Sequence, residues 1–279
     1  MIARVPATSA NMGPGFDALG VALSLWAEVG LVEADQPLPE GAHAADEHHL
    51  ATVAFRRLGG EGQLWVRSPI PMGRGLGYSA AVRVGGLLVA CAQRGDGHDA
   101  PTAHADEIIH HATALEGHAD NAAAALLGGV VVTTGDRSIR VPLQFDPAVV
   151  VWVPSSTTRT DHSRGRLGST VALSDAVFNI GRSAFLVAAL ASGDVGALRH
   201  ATEDRIHQPS RFEASPASLA AYTAALDDGA WCAWLSGSGP TVAALCPVEL
   251  AKGLAASLPG DGRTKVLRID HGGATVEGP

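Results

Sequence analysis

Gly73, Gly75 and Gly77 fall within five positions of the segment GRGLGYSA, and Ser79 opens an apolar stretch directly behind them. Glycine has no Cβ, so such a loop lets backbone amides converge on a ligand. A helix begun at the serine would add N–H groups that have no intrahelical acceptor. Phosphate suits that arrangement, and an ordinary turn is the alternative. Three familiar glycine motifs fail on spacing. A P-loop needs lysine and Ser/Thr directly after its last glycine, whereas Tyr78 and Ser79 follow Gly77. A dinucleotide fingerprint counted from Gly73 meets Tyr78 where its third glycine belongs. Gly77-Tyr78-Ser79-Ala80-Ala81 nearly matches a hydrolase nucleophile elbow. That turn needs a buried strand running into it, and Pro69, Pro71 and Gly73 deny one.

The remaining composition limits what such a loop could serve. The only lysines are Lys252 and Lys265, so a phosphate site anywhere else must use backbone amides, hydroxyls, arginine or metal. A net charge of −8 argues against a nucleic-acid surface, which needs clustered Lys and Arg, but leaves room for a local anion pocket. Cys91, Cys232 and Cys246 are odd in number and widely spaced, which predicts reduced structural thiols and a cytoplasmic protein. No secretory signal is visible in MIARVPATSANMGPG, and no apolar run reaches the ~18 residues of a membrane span. His110, His111, Glu116 and His118 could be read as a zinc cluster, but they lack the H-E-x-x-H spacing.

With 279 residues, 46% hydrophobic, the chain can build two lobes with a real core. MIARVPA and LGVALSLWAEVGLVEA read as strands around the loop TSANMGPGFDA, HLATVAFRRLG as a helix, and GQLWVRSPI as a strand. SAAVRVGGLLVACAQR reads as a buried helix starting at Ser79, and TAHADEIIHHATALEG as a second helix. In HADNAAAALLGGVVVTTG the alanines suit a helix and the valines a strand. AVVVWVPS is a buried strand opening a second lobe. Helices follow over SDAVFNIGRSAFLVAALASG, VGALRHATED and SPASLAAYTAALDDG, then strand, glycine turn and strand over AWCAWLSGSGPTVAALC. The expected class is α+β with two lobes, divided as 1–146 and 147–279.

Three separated segments together resemble the homoserine kinase branch of the GHMP small-molecule kinases. They are VPATSANMGPGFDALG (residues 5–20), PMGRGLGYSAA (71–81), which is similar to P-x-x-x-G-L-G-S-S-A-A, and SGSGPT (236–241). EGHADNAAAALLGG matches the family's H-x-D-N segment, and ATEDRIHQPSR is similar to a substrate-side segment. The likeness spans almost the whole chain in the right order. It implies a two-lobed GHMP kinase fold, with an N-terminal lobe like ribosomal protein S5 domain 2 and a ferredoxin-like C-terminal lobe. It also implies ATP- and Mg²⁺-dependent phosphorylation of L-homoserine in threonine biosynthesis, without nucleic-acid or membrane partners, and with a second copy of the chain as a candidate partner. A kinase for another small hydroxylated metabolite and a GHMP-like binding protein without catalysis remain open.

On that resemblance the nucleotide loop comprises Pro71, Met72, Gly73, Arg74, Gly75, Leu76, Gly77, Tyr78, Ser79, Ala80 and Ala81. Ser79 would give its hydroxyl to Mg²⁺ or the β-phosphate and Glu116 would hold Mg²⁺; Ser79 could also, or only, cap its helix, and Glu116 could be an exposed helix-end carboxylate. The substrate set is Asn11, Asp17, His118, Asn121, Thr160, Arg164, Arg211 and Gly237. Arginine forks suit the α-carboxylate and Asp17 the ammonium, while SANMGPGFD could equally be a self-satisfied Asx turn. Asp120 and Asn121, with Ser79, form the catalytic set, as positioning groups with proton-accepting help, because phosphoryl transfer leans on positioning and electrostatics. Two residues depart from the family pattern. Tyr78 replaces the first of two serines, so its ring must leave the loop toward the adenine side, the substrate or solvent; Arg83 interrupts a helix of small apolar residues.

Overall fold

The structure, a computed structural model, describes residues 1–34, 36–155, 165, 167–168 and 170–278. In chain order the first lobe runs β1 (Ile2–Ala10), β2 (Leu19–Leu31), β3 (His43–Ala44), α1 (Leu50–Arg57), β4 (Leu64–Arg67) and α2 (Tyr78–Gln93). It continues with α3 (Ala100–Ala103), α4 (Ala105–Glu116), α5 (Asp120–Leu127), β5 (Val130–Thr133) and β6 (Ser138–Val141). Then come β7 (Ala148–Pro154), α6 (Leu173–Ser192), α7 (Leu198–Ala201), α8 (Gln208–Glu213), α9 (Pro216–Asp227), β8 (Cys232–Leu235), β9 (Val242–Cys246), α10 (Ala251–Ser257), β10 (Gly262–Arg268) and β11 (Thr275–Glu277).

Two sheets carry the lobes. The first has the order β11-β1-β2-β4-β3, with β5 pairing β2 and β6. The second has the order β10-β7-β9-β8 with antiparallel pairing throughout, so its four strands lie 4-1-3-2 as in a ferredoxin-like lobe. Register between β1 and β2 shifts between Pro6 and Ala7, where proline has no N–H to give the ladder. Beyond that shift residues 7–10 are buried on both faces, which sets the end of β1 between the lobes.

The sequence is locally consistent with most of these elements. The alanine and valine halves of residues 118–135 split into α5 and β5 as their propensities require. Alanine, valine and glycine along α2 bury it almost completely against β1 and β2. Burial lifts the Cys232 thiol to about 12 and Cys246 to about 11, and all three cysteines are free and buried, as inert structural thiols are.

Four expectations need correction. The α2 helix begins at Tyr78, one residue early, because Gly77 takes the cap position with φ 68°. Only Leu198–Ala201 of VGALRHATED is α-helical, after a 3-10 turn at Val195–Ala197. The last strand, β11, pairs with β1, so residues 275–277 lie in the first sheet rather than in the second lobe. Finally, α6 is long and apolar enough by length and composition to cross a membrane, although it contains Asp175 and Arg182. Little of α6 is buried: Leu173, Val177, Ile180 and Phe185 are 80%, 60%, 69% and 44% exposed.

Candidate active site

The glycine loop closes one side of a cavity of about 360 Å³ where the two lobes meet. Its glycines answer a close approach. A Cβ on Gly75 would lie 2.2 Å from the Ser236 carbonyl oxygen, and one on Gly77 would lie 1.9 Å from Thr8 Oγ1. Both have positive φ, 75° and 68°. A chain of hydrogen bonds then ties the three glycine-bearing segments together. Trp234 Nε1 donates to Ser9 Oγ at 2.9 Å, and Ser236 Oγ donates to the Gly75 carbonyl at 2.5 Å. Since the Ser236 proton is used there, Ser9 is the donor in the 2.7 Å Ser9–Ser236 bond. The Thr8 and Gly237 amides add bonds to the Leu76 and Ala10 carbonyls at 3.2 and 3.1 Å.

Pro71 through Ser79 all line the cavity, whereas Ala80 and Ala81 do not. Those two alanines are buried in the core, and the Ala81 amide already serves the Gly77 carbonyl. Arg74 donates to the Ser155 carbonyl at 2.6 Å, so its guanidinium reaches across to the end of β7. Ser79 is not a helix cap: its Oγ donates to Glu116 Oε2 at 3.0 Å. Glu116 is the last residue of α4, is largely buried, and also pairs with Arg83. A hydroxyl and a carboxylate facing one phosphate-sized cradle are the hard oxygen donors Mg²⁺ takes, so the residues fit that ion. The zinc alternative does not form among the described residues. His111 accepts from Arg57 at 3.0 Å, Glu116 faces Ser79, and His118 turns to Asp120.

In the same cavity, one potential ligand atom each from Asp17, His118 and Asp120 gather within 4.8 Å of one another. His118 Nδ1 donates to Asp120 Oδ1 at 2.9 Å, which fixes its tautomer. The Asn121 amide also donates to that oxygen, at 2.7 Å, from the first turn of α5, where a carboxylate is favourable. Thr8 Oγ1 donates to Asn121 Oδ1 at 2.7 Å, so the Asn121 side chain is oriented with its NH₂ group on the other side. Asn11 receives the Asp17 amide on Oδ1 and gives Nδ2 to the Gly237 carbonyl at 2.9 Å. SANMGPGFD is therefore a turn held by its own side-chain bonds, and Asn11 and Asp17 also line the cavity. Asn11, Met12 and Asp17 all carry positive φ, a concentration of strain found where side chains are being aimed.

Arg211 enters from α8, 5% exposed, and its Nη1 donates to the Gly237 carbonyl at 3.0 Å and to His207 Nδ1 at 2.9 Å. Gly237 thus contributes a carbonyl that positions Asn11 and Arg211. Thr160 and Arg164 lie outside the described residues. Sequence reasoning missed the support of Arg211: His207 sits four residues before it, a helical spacing that was available as a signal. With Nδ1 accepting, Nε2 of His207 donates to the Gly13 carbonyl at 2.7 Å. Asp204 accepts the amides of Ile206, His207 and Gln208 and the Asn179 side chain, which locks the turn.

Burial pushes the His207 pKa below the ordinary 6.5, against the opposing pull of Asp204. Above that value folded and unfolded chains both hold it neutral. Below it the unfolded chain takes up a proton that the folded chain refuses, so stability falls as pH drops. We expect Tm to decline from about pH 7 to about pH 5, and His207→Gln to flatten that decline. Part of the slope persists through His49 and His111, whose pKa values burial also lowers. An unchanged slope in His207→Gln would contradict this assignment.

Tyr78 turns out of the loop toward α1, where its hydroxyl lies 3.3 Å from His49 Nε2. The ring still lines the cavity, but its hydroxyl is spent on His49 rather than on the loop. Tyr78→Ser is expected to tighten binding of a non-hydrolysable ATP analogue by about 0.5–1.5 kcal/mol, the net value of one hydrogen bond. Calorimetric titration measures this, and weaker binding would mean that the ring contributes a contact of its own.

Residues 47–129 match the family model for the GHMP kinases N terminal domain, and residues 186–262 match GHMP kinases C terminal. A homoserine kinase from Thermus thermophilus is 41% identical over 288 residues, covering 96% of each chain. Another, from Moorella thermoacetica, is 40% identical over 263 residues, covering 88% of this chain and 87% of the relative. The chain belongs to the homoserine kinase family. A crystal structure of homoserine kinase from Cytophaga hutchinsonii ATCC 33406 superposes with a TM-score of 0.84 at 26% identity, covering 99% of this chain and 97% of that one. The two lobes described above are the GHMP kinase fold, and as a member of the homoserine kinase family the chain is a kinase with ATP as phosphoryl donor.

Proposed function

We propose that the chain transfers the γ-phosphoryl group of ATP to the side-chain hydroxyl of L-homoserine, giving O-phospho-L-homoserine on the way to threonine. One observation carries the reading: a single cavity is lined by a glycine loop suited to phosphate and by an acid and an arginine suited to the two ends of an amino acid. Loop amides from Gly73 to Gly77 cradle the phosphates. Asp17 takes the substrate ammonium and Arg211 its carboxylate, with Thr160 and Arg164 as further candidates. Asn11 and Gly237 hold these groups in place. Asn121 and Asp120 position the hydroxyl, and His118, donating to Asp120, orients that carboxylate. Ser79 and Glu116 hold Mg²⁺, which when bound would neutralise charge on the transferring phosphoryl group.

The same reading treats 1–146 and 147–279 as the two working lobes, with β11 returned to the first. It places the enzyme in the cytoplasm, in keeping with its buried reduced thiols. The exposed apolar stripe of Leu173, Val177 and Ile180 supports a homodimer, to be checked by sedimentation with Ile180→Glu as the disrupting variant.

Coupled ADP release with homoserine, threonine, serine, mevalonate and pantoate tests the activity. Turnover preferring homoserine is expected. A preference for another alcohol would reassign the substrate, and nucleotide binding without ADP release would favour a binding protein.

A further inference from the structure

Glu116 is in an awkward place for a carboxylate. It ends α4, at the negative end of the helix dipole, ahead of Gly117 in the left-handed conformation, and its side chain is only 6% exposed. A buried anion there requires a cation. Arg83 supplies one in the protein as described, from a side chain 16% exposed. Arg83 stands one helical turn after Ser79 on α2, so both side chains rise from the same helix face. Each takes one oxygen of the carboxylate: Ser79 bonds Oε2 and Arg83 bonds Oε1. All three residues line the same cavity. Arg83 Nε is buried without a hydrogen-bond partner among the described residues, so the guanidinium is not locked by a second acceptor. A residue clamped in a structural network would use more of its five donors.

We infer that Arg83 is a built-in competitor for the divalent cation at Glu116, so that metal enters by exchange with the guanidinium and binds more weakly than Ser79 and Glu116 alone would hold it. The inference rests on the proposed phosphoryl-transfer reading, and it makes Arg83 a positioning residue. Two cations compete for one carboxylate, and a guanidinium left beside a bound dication repels it. Removing the charge of Arg83 therefore favours metal twice, by freeing the carboxylate and by lifting the repulsion.

Binding of Mn²⁺ in the presence of a non-hydrolysable ATP analogue, followed by electron paramagnetic resonance, tests this without turnover. Arg83→Met is expected to tighten Mn²⁺ binding about tenfold or more, in line with loss of one buried charge-assisted contact. Arg83→Gln, which keeps a donor but no charge, is expected to act in the same direction and covers the case in which the Met variant fails to fold. Arg83→Lys, which keeps the charge, should stay near wild type. Unchanged affinity in both neutral variants would leave Arg83 as a tie between α2 and α4 and overturn the inference. Weaker binding would mean that Arg83 supports the metal site, and would overturn it too. Absence of any nucleotide-dependent Mn²⁺ site in wild type and variants alike would instead remove the phosphoryl-transfer reading, and the inference with it.

Discussion

Glu116→Gln is expected to lower kcat by about 10²-fold or more, the range seen when one group stabilising transition-state charge is removed, while the KM for homoserine changes little. The carboxylate lines the same cavity as the glycine loop, and in the proposed function its contribution grows as the γ-phosphoryl group leaves. A complication follows from its neighbours. The amide cannot neutralise Arg83, so a lower Tm accompanies the loss. Ser79→Ala separates the two effects, since it removes a hydroxyl from the same carboxylate and leaves the Arg83–Glu116 pair standing. It should also lower kcat more than it raises KM, with Tm nearly unchanged. Steady-state kinetics alongside thermal denaturation decide the matter. Full turnover in either variant would take that residue out of the catalytic site.

Arg211→Leu is expected to raise the KM for homoserine at least about tenfold, because a charge-assisted contact of this kind is worth ~1.5–3 kcal/mol. The guanidinium has another duty, since it donates to the Gly237 carbonyl and to His207. A loss of affinity could therefore arise from a collapsed wall rather than a lost carboxylate contact. Homoserine amide distinguishes the two. It lacks the carboxylate that the proposed function assigns to Arg211, so it should be a poor substrate for wild type and lose little more in the variant. Equal weakening of acid and amide would make the arginine structural.

Much of the candidate site's lining was legible in the sequence because its parts are short backbone-dictated motifs. Gly73, Gly75 and Gly77 stand out by composition, and two of them proved necessary to pass Ser236 and Thr8. Glu116, His118, Asp120 and Asn121 lie within six positions, so the turn from α4 to α5 delivers them together. Less legible were contacts made across long stretches of chain. Nothing local marks Tyr78 as the neighbour of His49, or Trp234 as the start of the chain leading to Gly75. Arg83 registered only as an interruption of an apolar helix, because its partner lies 33 residues away on another element. The return of β11 to the first sheet was hidden for a similar reason: a three-residue strand carries too little periodicity to reveal its pairing.

The most direct test is to identify the product. The protein is incubated with ATP, Mg²⁺ and L-homoserine and followed by ³¹P NMR. A phosphomonoester signal should grow in step with ADP, should vanish when homoserine is omitted, and should co-migrate with authentic O-phospho-L-homoserine. ADP accompanied only by inorganic phosphate, or no ADP despite bound nucleotide, would contradict phosphoryl transfer to homoserine.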